Sequence, residues 1–247
     1  MTILYAGDWH GRVNNISSLL QSAESKHTDD TPVTIIQVGD MGSGFPDGEF
    51  EKFLHKRARQ GKFNVKVYTP FGNHDNWDQY DERCKEDPNS ATYEIVRGSG
   101  FYVVKRGHVI SIDGINHIFM GGAESTDKHH RTEGETWWAR EEPNAEEFNL
   151  LYDNLQVYKP EVMVAHEAPH RIPLSRDNRE CSYTPSMLER IIDLSDHKIS
   201  RYFFGHFHDL DKWVVDDVEY YCCGWHGEYV SFNPLTNKPI LSSPYHN

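Results

Sequence analysis

No stretch of this 247-residue sequence supplies the roughly 20 consecutive apolar residues that a membrane-spanning helix needs, so a membrane protein of that type is not expected. The start, Met1 to Asp8, lacks the basic residues and long apolar stretch of a secretory signal, and nothing there is expected to be removed. Cysteine is scarce: Cys84, Cys181, Cys222 and Cys223 show no C-x-x-C spacing, and the adjacent Cys222 and Cys223 are awkward disulfide partners. Free thiols in a reducing cytoplasm follow, and a disulfide scaffold or thiolate zinc finger does not. Positive charge is short as well, 25 Lys and Arg against 38 Asp and Glu, for a net charge of −13. Such a surface repels polyanions at long range, so nucleic acid is not expected as a partner gripped by a broad basic face. Repeats, low-complexity tracts and linkers are missing too, which leaves one domain spanning 1–247 as the expectation.

What is present is a hydrophobic content of 37%, with 13% aromatics, enough to fill an interior, and 15 histidines. Apolar segments at 3–6, 33–38 and 65–69 read as buried strands, and amphipathic segments at 15–25 and 49–59 as helices between them. This βαβαβ order calls for parallel strands with ligands at their carboxyl ends. From Phe101 to Phe119, segments at 102–104, 109–112 and 116–119, separated by Gly107 and Asp113-Gly114, read as antiparallel strands. Further on, 145–158 and 186–194 read as helices, 162–165 and 201–204 as strands, and 213–232 as hairpin strands. The expected class is α/β (α+β), with two facing mixed sheets flanked by helices.

Five clusters follow predicted strands: Gly7-Asp8-Trp9-His10-Gly11, Gly39-Asp40-Met41-Gly42, Gly72-Asn73-His74-Asp75, His166, and Gly205-His206-Phe207-His208. Residues two apart on extended backbone point the same way, so Asp8 with His10, and His206 with His208, are expected to offer two ligands each. Neighbouring glycines leave room for metal or phosphate. Carboxylate, amide and imidazole together suit Mn, Fe, Zn or Ni. Two such ions about 3.5–4 Å apart bind a phosphoryl oxygen and acidify a bridging water. That arrangement requires a shared carboxylate, for which Asp40 is the candidate.

In this order D-x-H, GD, GNHD, H and GHxH resemble the calcineurin-like metallophosphoesterases, from Asp8 to His208. The resemblance implies a β-sandwich flanked by helices and two divalent cations, manganese first. It places Asp8, His10, Asp40 and His208 on one ion, and Asp40, Asn73, His166 and His206 on the other. It makes His74 the catalytic histidine, acting on the leaving oxygen, with Asp75 orienting its ring. The implied reaction is hydrolysis of a phosphomonoester or phosphodiester by a metal-bridging hydroxide, the substrate being a small molecule, nucleotide or phosphoprotein. Two rivals remain: a nuclease, since DNA-repair nucleases of this superfamily share GNHD and GHxH, and a non-catalytic scaffold, which would be expected to have lost His74 or a ligand.

Gly39-Asp40-Met41-Gly42-Ser43-Gly44 departs from the GDxVDRG of protein Ser/Thr phosphatases, so that branch's phosphate-binding arginine is missing. A polar and aromatic insertion at about 121–142 reads as a substrate-side loop. Within it Lys128, His129, His130 and Arg131 are candidate phosphate contacts, while Trp137 and Trp138 are expected to close a satellite core. Arg171, Arg176 and Arg179 read as an exposed loop rather than a phosphate patch, and His226 has no motif to give it a role.

Overall fold

The computed structural model describes residues 2–45, 47–61, 64–174, 182–232 and 236–244. Its first half is built on β1 (Thr2–Ala6), β2 (Val33–Gln37) and β3 (Lys66–Thr69), parallel neighbours in which Leu4 lies beside Ile35 and Ile35 beside Val67. All five residues of β2 are buried, because a central parallel strand is covered on both faces. Helices α1 (Val13–Lys26) and α2 (Glu49–Gln60) fill the two crossovers. They bury Ile16, Leu19, Leu20, Phe50 and Leu54 against Leu4, Ile35 and Val67.

A third helix, α3 (Trp77–Glu86), was not expected. Only Trp77 and Tyr80 of its sequence are buried, so it has almost no apolar period; its start is set instead by Asn76, whose side chain accepts from the N–H groups of Asp78 and Gln79.

The segment expected to form three antiparallel strands divides between two sheets. β5 (Phe101–Val104) pairs parallel with β3 and antiparallel with β4 (Thr92–Glu94). Only β6 (Val109–Ile112) and β7 (Ile115–Met120) form the anticipated hairpin. Asp113 and Gly114 turn it with φ of 56° and 77°, the backbone that an Asp-Gly pair favours. Alternation marks a strand but not its sheet, and Phe101 and Val103 are claimed by the helix-side cores of the first sheet.

The second sheet continues with β8 (Val162–Ala165) and β9 (Arg201–Phe204), parallel to β7, then the hairpin β10 (Leu210–Val215) and β11 (Val218–Cys223). Helices α4 (Ala145–Tyr158) and α5 (Tyr183–Leu194) cover its outer face. The chain then returns to the first sheet through β12 (Tyr229–Phe232) and β13 (Pro239–Ser242). Among the described residues the strand orders are β13-β12-β1-β2-β3-β5-β4 and β10-β11-β9-β8-β7-β6. The molecule is therefore a four-layer α-β-β-α sandwich, the mixed α/β class that the sequence implied.

Between the sheets Tyr5, Ile36, Val38 and Val230 meet Phe119, Val162, Val164 and Phe203. Of the two tryptophans expected to close a satellite core, Trp138 packs with Phe71, Trp77, Tyr80 and Val103, whereas Trp137 is half-buried outside that cluster. Arg171 pairs with Asp193, Asp216 and Glu189, away from the clustered ligand residues; Arg176, Arg179 and Cys181 lie outside the described residues. Cys84, Cys222 and Cys223 are free thiols. Among the described residues no helix is long and apolar enough to cross a membrane.

Candidate metal centre

The five clusters converge where the carboxyl ends of β1, β2 and β3 meet those of β8 and β9. One ligand atom each from Asp8, His10, Asp40 and His208 lies within 4.8 Å of the others. His10 Nε2 and His208 Nε2 face each other at 2.9 Å, and His208 Nε2 stands 3.3 Å from Asp8 Oδ2. Beside this group, Asn73 Oδ1 is 2.8 Å from His166 Nε2 and 3.0 Å from His206 Nδ1. Asp40 joins the two groups, with Oδ1 3.3 Å from His166 Nε2 and Oδ2 3.8 Å from His10 Nε2. All seven sequence-predicted ligand residues are thus brought together.

Strand alternation was expected to bring the ligand pairs to the site, but they do not reach it that way. His10, Asp40, His206 and His208 have φ of 46°, 56°, 67° and 60°, a left-handed backbone that costs non-glycine residues roughly 1 kcal/mol or more each. The chain turns sharply as it leaves each strand, and hydrogen bonds from backbone N–H groups hold the turn: His10 N–H donates to Asp40 O at 2.8 Å, and His206 N–H to Oδ2 of the Asp8 side chain at 2.9 Å. Gly39, Gly72 and Gly205 make room for ligand side chains: a Cβ on Gly39 would run into the His166 ring. A Cβ on Gly72 would run into the Asp40 carboxylate, and one on Gly205 into that of Asp8.

These donors fit cations. Separations near 3 Å are the edges of a coordination shell with bonds of roughly 2.1 Å. Asp8 Oδ1 is buried with no hydrogen-bond partner, a cost that an ion would remove. Although burial opposes it, the carboxylates of Asp40 and Asp8 push the His166 pKa up to about 10, while His166, His74 and His10 hold Asp40 well below the usual carboxylate range. The centre attracts positive charge, and His166 Nδ1, 3.0 Å from Val38 O, is fixed so that Nε2 faces inward.

A calcineurin-like phosphoesterase family model matches residues 1–210. The chain belongs to the calcineurin-like phosphoesterase family. It is therefore a metal-dependent phosphoric ester hydrolase of a family that uses dinuclear centres. No curated protein matches it by sequence. Among solved structures, one crystal structure aligns over 98% of both chains with a TM-score of 0.62 at 13% identity. A Staphylococcus aureus protein described as a 5'-nucleotidase, in complex with alpha-ketoglutarate, aligns over 98% of this chain and 52% of its own, with a TM-score of 0.55 at 13% identity. An archaeal phosphodiesterase aligns over 98% of this chain and all of its own at 13% identity, with a TM-score of 0.46. At such identities the likeness is one of fold.

For this calcineurin-like phosphoesterase the structure also places the remaining candidates. The His74 ring stands 5.2 Å from that of His10, and the His74 backbone N–H donates to Asp40 Oδ1 at 2.7 Å. Burial, partly offset by Asp40, lowers its pKa. The buried carboxylate of Asp75, expected to orient that ring, accepts from Gly42 N and Ser43 N at 2.8 Å and Gly72 N at 2.7 Å, pinning the loops after β2 and β3 together.

In the 121–142 segment Arg131 Nη1 lies 3.0 Å from Ser125 Oγ, and its charge contributes to lowering the His74 pKa. Lys128 is engaged by Glu124 at 2.6 Å, while His129 and His130 are exposed with rings 4.0 Å apart.

Sequence reasoning missed four neighbours of the site. Trp225 stacks on His208 at 4.9 Å, and His226 N–H donates to Asp8 O at 2.7 Å. Ser125 bonds Asn73, and the buried Glu141 bonds Ser125. The glycines flanking Trp225-His226 were the available signal for the first pair, and the second pair had none.

Proposed function

We propose that this enzyme binds two divalent cations, manganese foremost, and hydrolyses a small or medium-sized phosphomonoester or phosphodiester. The first cation would take Asp8, His10, Asp40 and His208, and the second Asp40, Asn73, His166 and His206. The observation that carries the reading is the sharing of Asp40 between two ligand groups, one carboxylate oxygen turned to each. When bound, such a pair of ions supplies Lewis acidity to a phosphoryl oxygen and an acidified water. His74, beside Asp40 and open to the site, protonates or stabilises the leaving oxygen. Arg131 adds a charge-assisted contact to the phosphate, with Lys128 and His129 in outer, weaker positions. The net charge of −13 favours a compact ester over nucleic acid, and the free thiols agree with a cytoplasmic setting. Residues 1–247 act as one catalytic domain in this reading.

Turnover of p-nitrophenyl phosphate and bis-p-nitrophenyl phosphate with added Mn²⁺ is expected, abolished by chelation. His74→Ala is expected to lower kcat about 10²–10⁴-fold while leaving two ions bound by elemental analysis. Absence of metal-dependent turnover of both esters overturns the proposal.

A further inference from the structure

Ser125 Oγ carries one proton and two lone pairs. Three polar atoms surround it: Glu141 Oε2 at 2.7 Å, Asn73 Nδ2 at 3.0 Å and Arg131 Nη1 at 3.0 Å. Arginine only donates. Burial raises the Glu141 pKa to about 7 against the hydrogen bonds from Ser125 and the charge of Arg131, so above that pH Glu141 is an ionised carboxylate that only accepts, the Ser125 proton goes to it, and both lone pairs are left for donors. Asn73 must then present its NH₂ to Ser125 and its oxygen to the opposite side, where His166 and His206 converge. The polarity of this chain is anchored at its far end. Ser125 N–H, which cannot reverse, donates to Glu141 Oε1 at 2.6 Å, and the Glu141 backbone carbonyl accepts from Arg106 at 2.5 Å.

The two ends of an asparagine amide have nearly the same shape, so sterics alone choose weakly between them. A turned amide would aim N–H groups at a cation and at the lone pair of His206. We propose that Ser125 and Glu141 are positioning residues, a hydrogen-bond relay that fixes the Asn73 amide with its oxygen toward the second metal position. The relay rests on the dinuclear reading above and adds to it a role for the 121–142 segment, which thereby reaches the metal centre from outside the five sequence clusters.

Glu141→Gln is nearly isosteric and inverts the polarity. Its amide oxygen is required at Ser125 N–H, so its NH₂ faces Ser125 Oγ, the serine proton turns toward Asn73, and the Asn73 oxygen is drawn away from the metal. Asn73→Asp has an oxygen on both sides and is indifferent to that inversion. The experiment is Mn²⁺ titration of chelator-stripped protein by calorimetry, with ion stoichiometry by elemental analysis and spin coupling of the ion pair by electron paramagnetic resonance.

Wild type is expected to bind two ions. Glu141→Gln is expected to weaken the second about 10–100-fold with the first unchanged, and Asn73→Asp/Glu141→Gln to recover it. Two ions bound by Glu141→Gln at wild-type affinity overturn the relay, as does loss in Glu141→Gln without recovery in the double variant. Ser125→Ala, which removes only the hydroxyl, gives an independent reading should Glu141→Gln fail to fold: selective weakening of the second ion supports the relay, and unchanged binding overturns it. Fewer than two ions on wild type overturns the dinuclear reading itself, and the relay with it.

Discussion

Asp75 stands next to His74 in sequence, yet its carboxylate serves the backbone. It gathers four N–H groups from the loops that carry Asp40 and Asn73, although burial, with the Asp40 charge adding to it, pushes its pKa up to about 7. Asp75→Ala leaves those donors buried and unpaired, at roughly 2–4 kcal/mol. Urea denaturation in chelator is expected to show that loss; wild-type stability combined with a selective fall in kcat would return Asp75 to the role of orienting His74. At this scale the ligands were legible because each follows a strand in a fixed motif. The Asn73–Ser125–Glu141 chain was not: serine and glutamate sixteen residues apart carry no period, and hydrogen-bond polarity exists only once the side chains meet.

Arg106 shows how elements are fastened around the site. Carried between β5 and β6, its buried guanidinium lies 3.7 Å over Trp77 of α3 and donates to Gly121 O at 3.0 Å, to Glu141 O, and to Glu147 of α4 at 3.1 Å. Burial lowers its pKa to about 10, with Glu147 opposing, so it remains charged. Arg106→Met keeps the length but removes the fork, and a loss of about 3 kcal/mol or more is expected in chemical denaturation. A loss under about 1 kcal/mol would show that the 121–142 segment is held by other contacts. Strong local signals gave α4, β8 and β9 their observed bounds. They failed for α3, which has two buried residues, and for β5, whose sheet depends on partners.

The two sheets are joined across their interface by a polar contact, Tyr5 OH to His117 Nε2 at 3.0 Å. Burial lowers the His117 pKa to about 4 from an ordinary 6.5. Between those values the unfolded chain binds the extra proton and the folded chain does not, so this histidine's contribution to stability falls as pH drops from 6.5 toward 4, approaching about 3 kcal/mol. In chelator, His117→Phe is expected to flatten that part of the stability profile relative to wild type, while the unpaired Tyr5 hydroxyl adds a constant offset. Parallel profiles for the two proteins would assign the slope to other groups.

The sequence alone determined which residues are candidates for the centre, because carboxylate, amide and imidazole at the ends of successive strands suit divalent cations and their order resembles that of the calcineurin-like phosphoesterases. Tertiary structure decided how they meet. Asp8 and His208 come within 3.3 Å only because β1 and β9 belong to facing sheets, and His10, His206 and His208 turn inward through left-handed backbone that no local propensity favours. Their strain is sustained by long-range hydrogen bonds, and long-range partners are what a linear pattern does not encode.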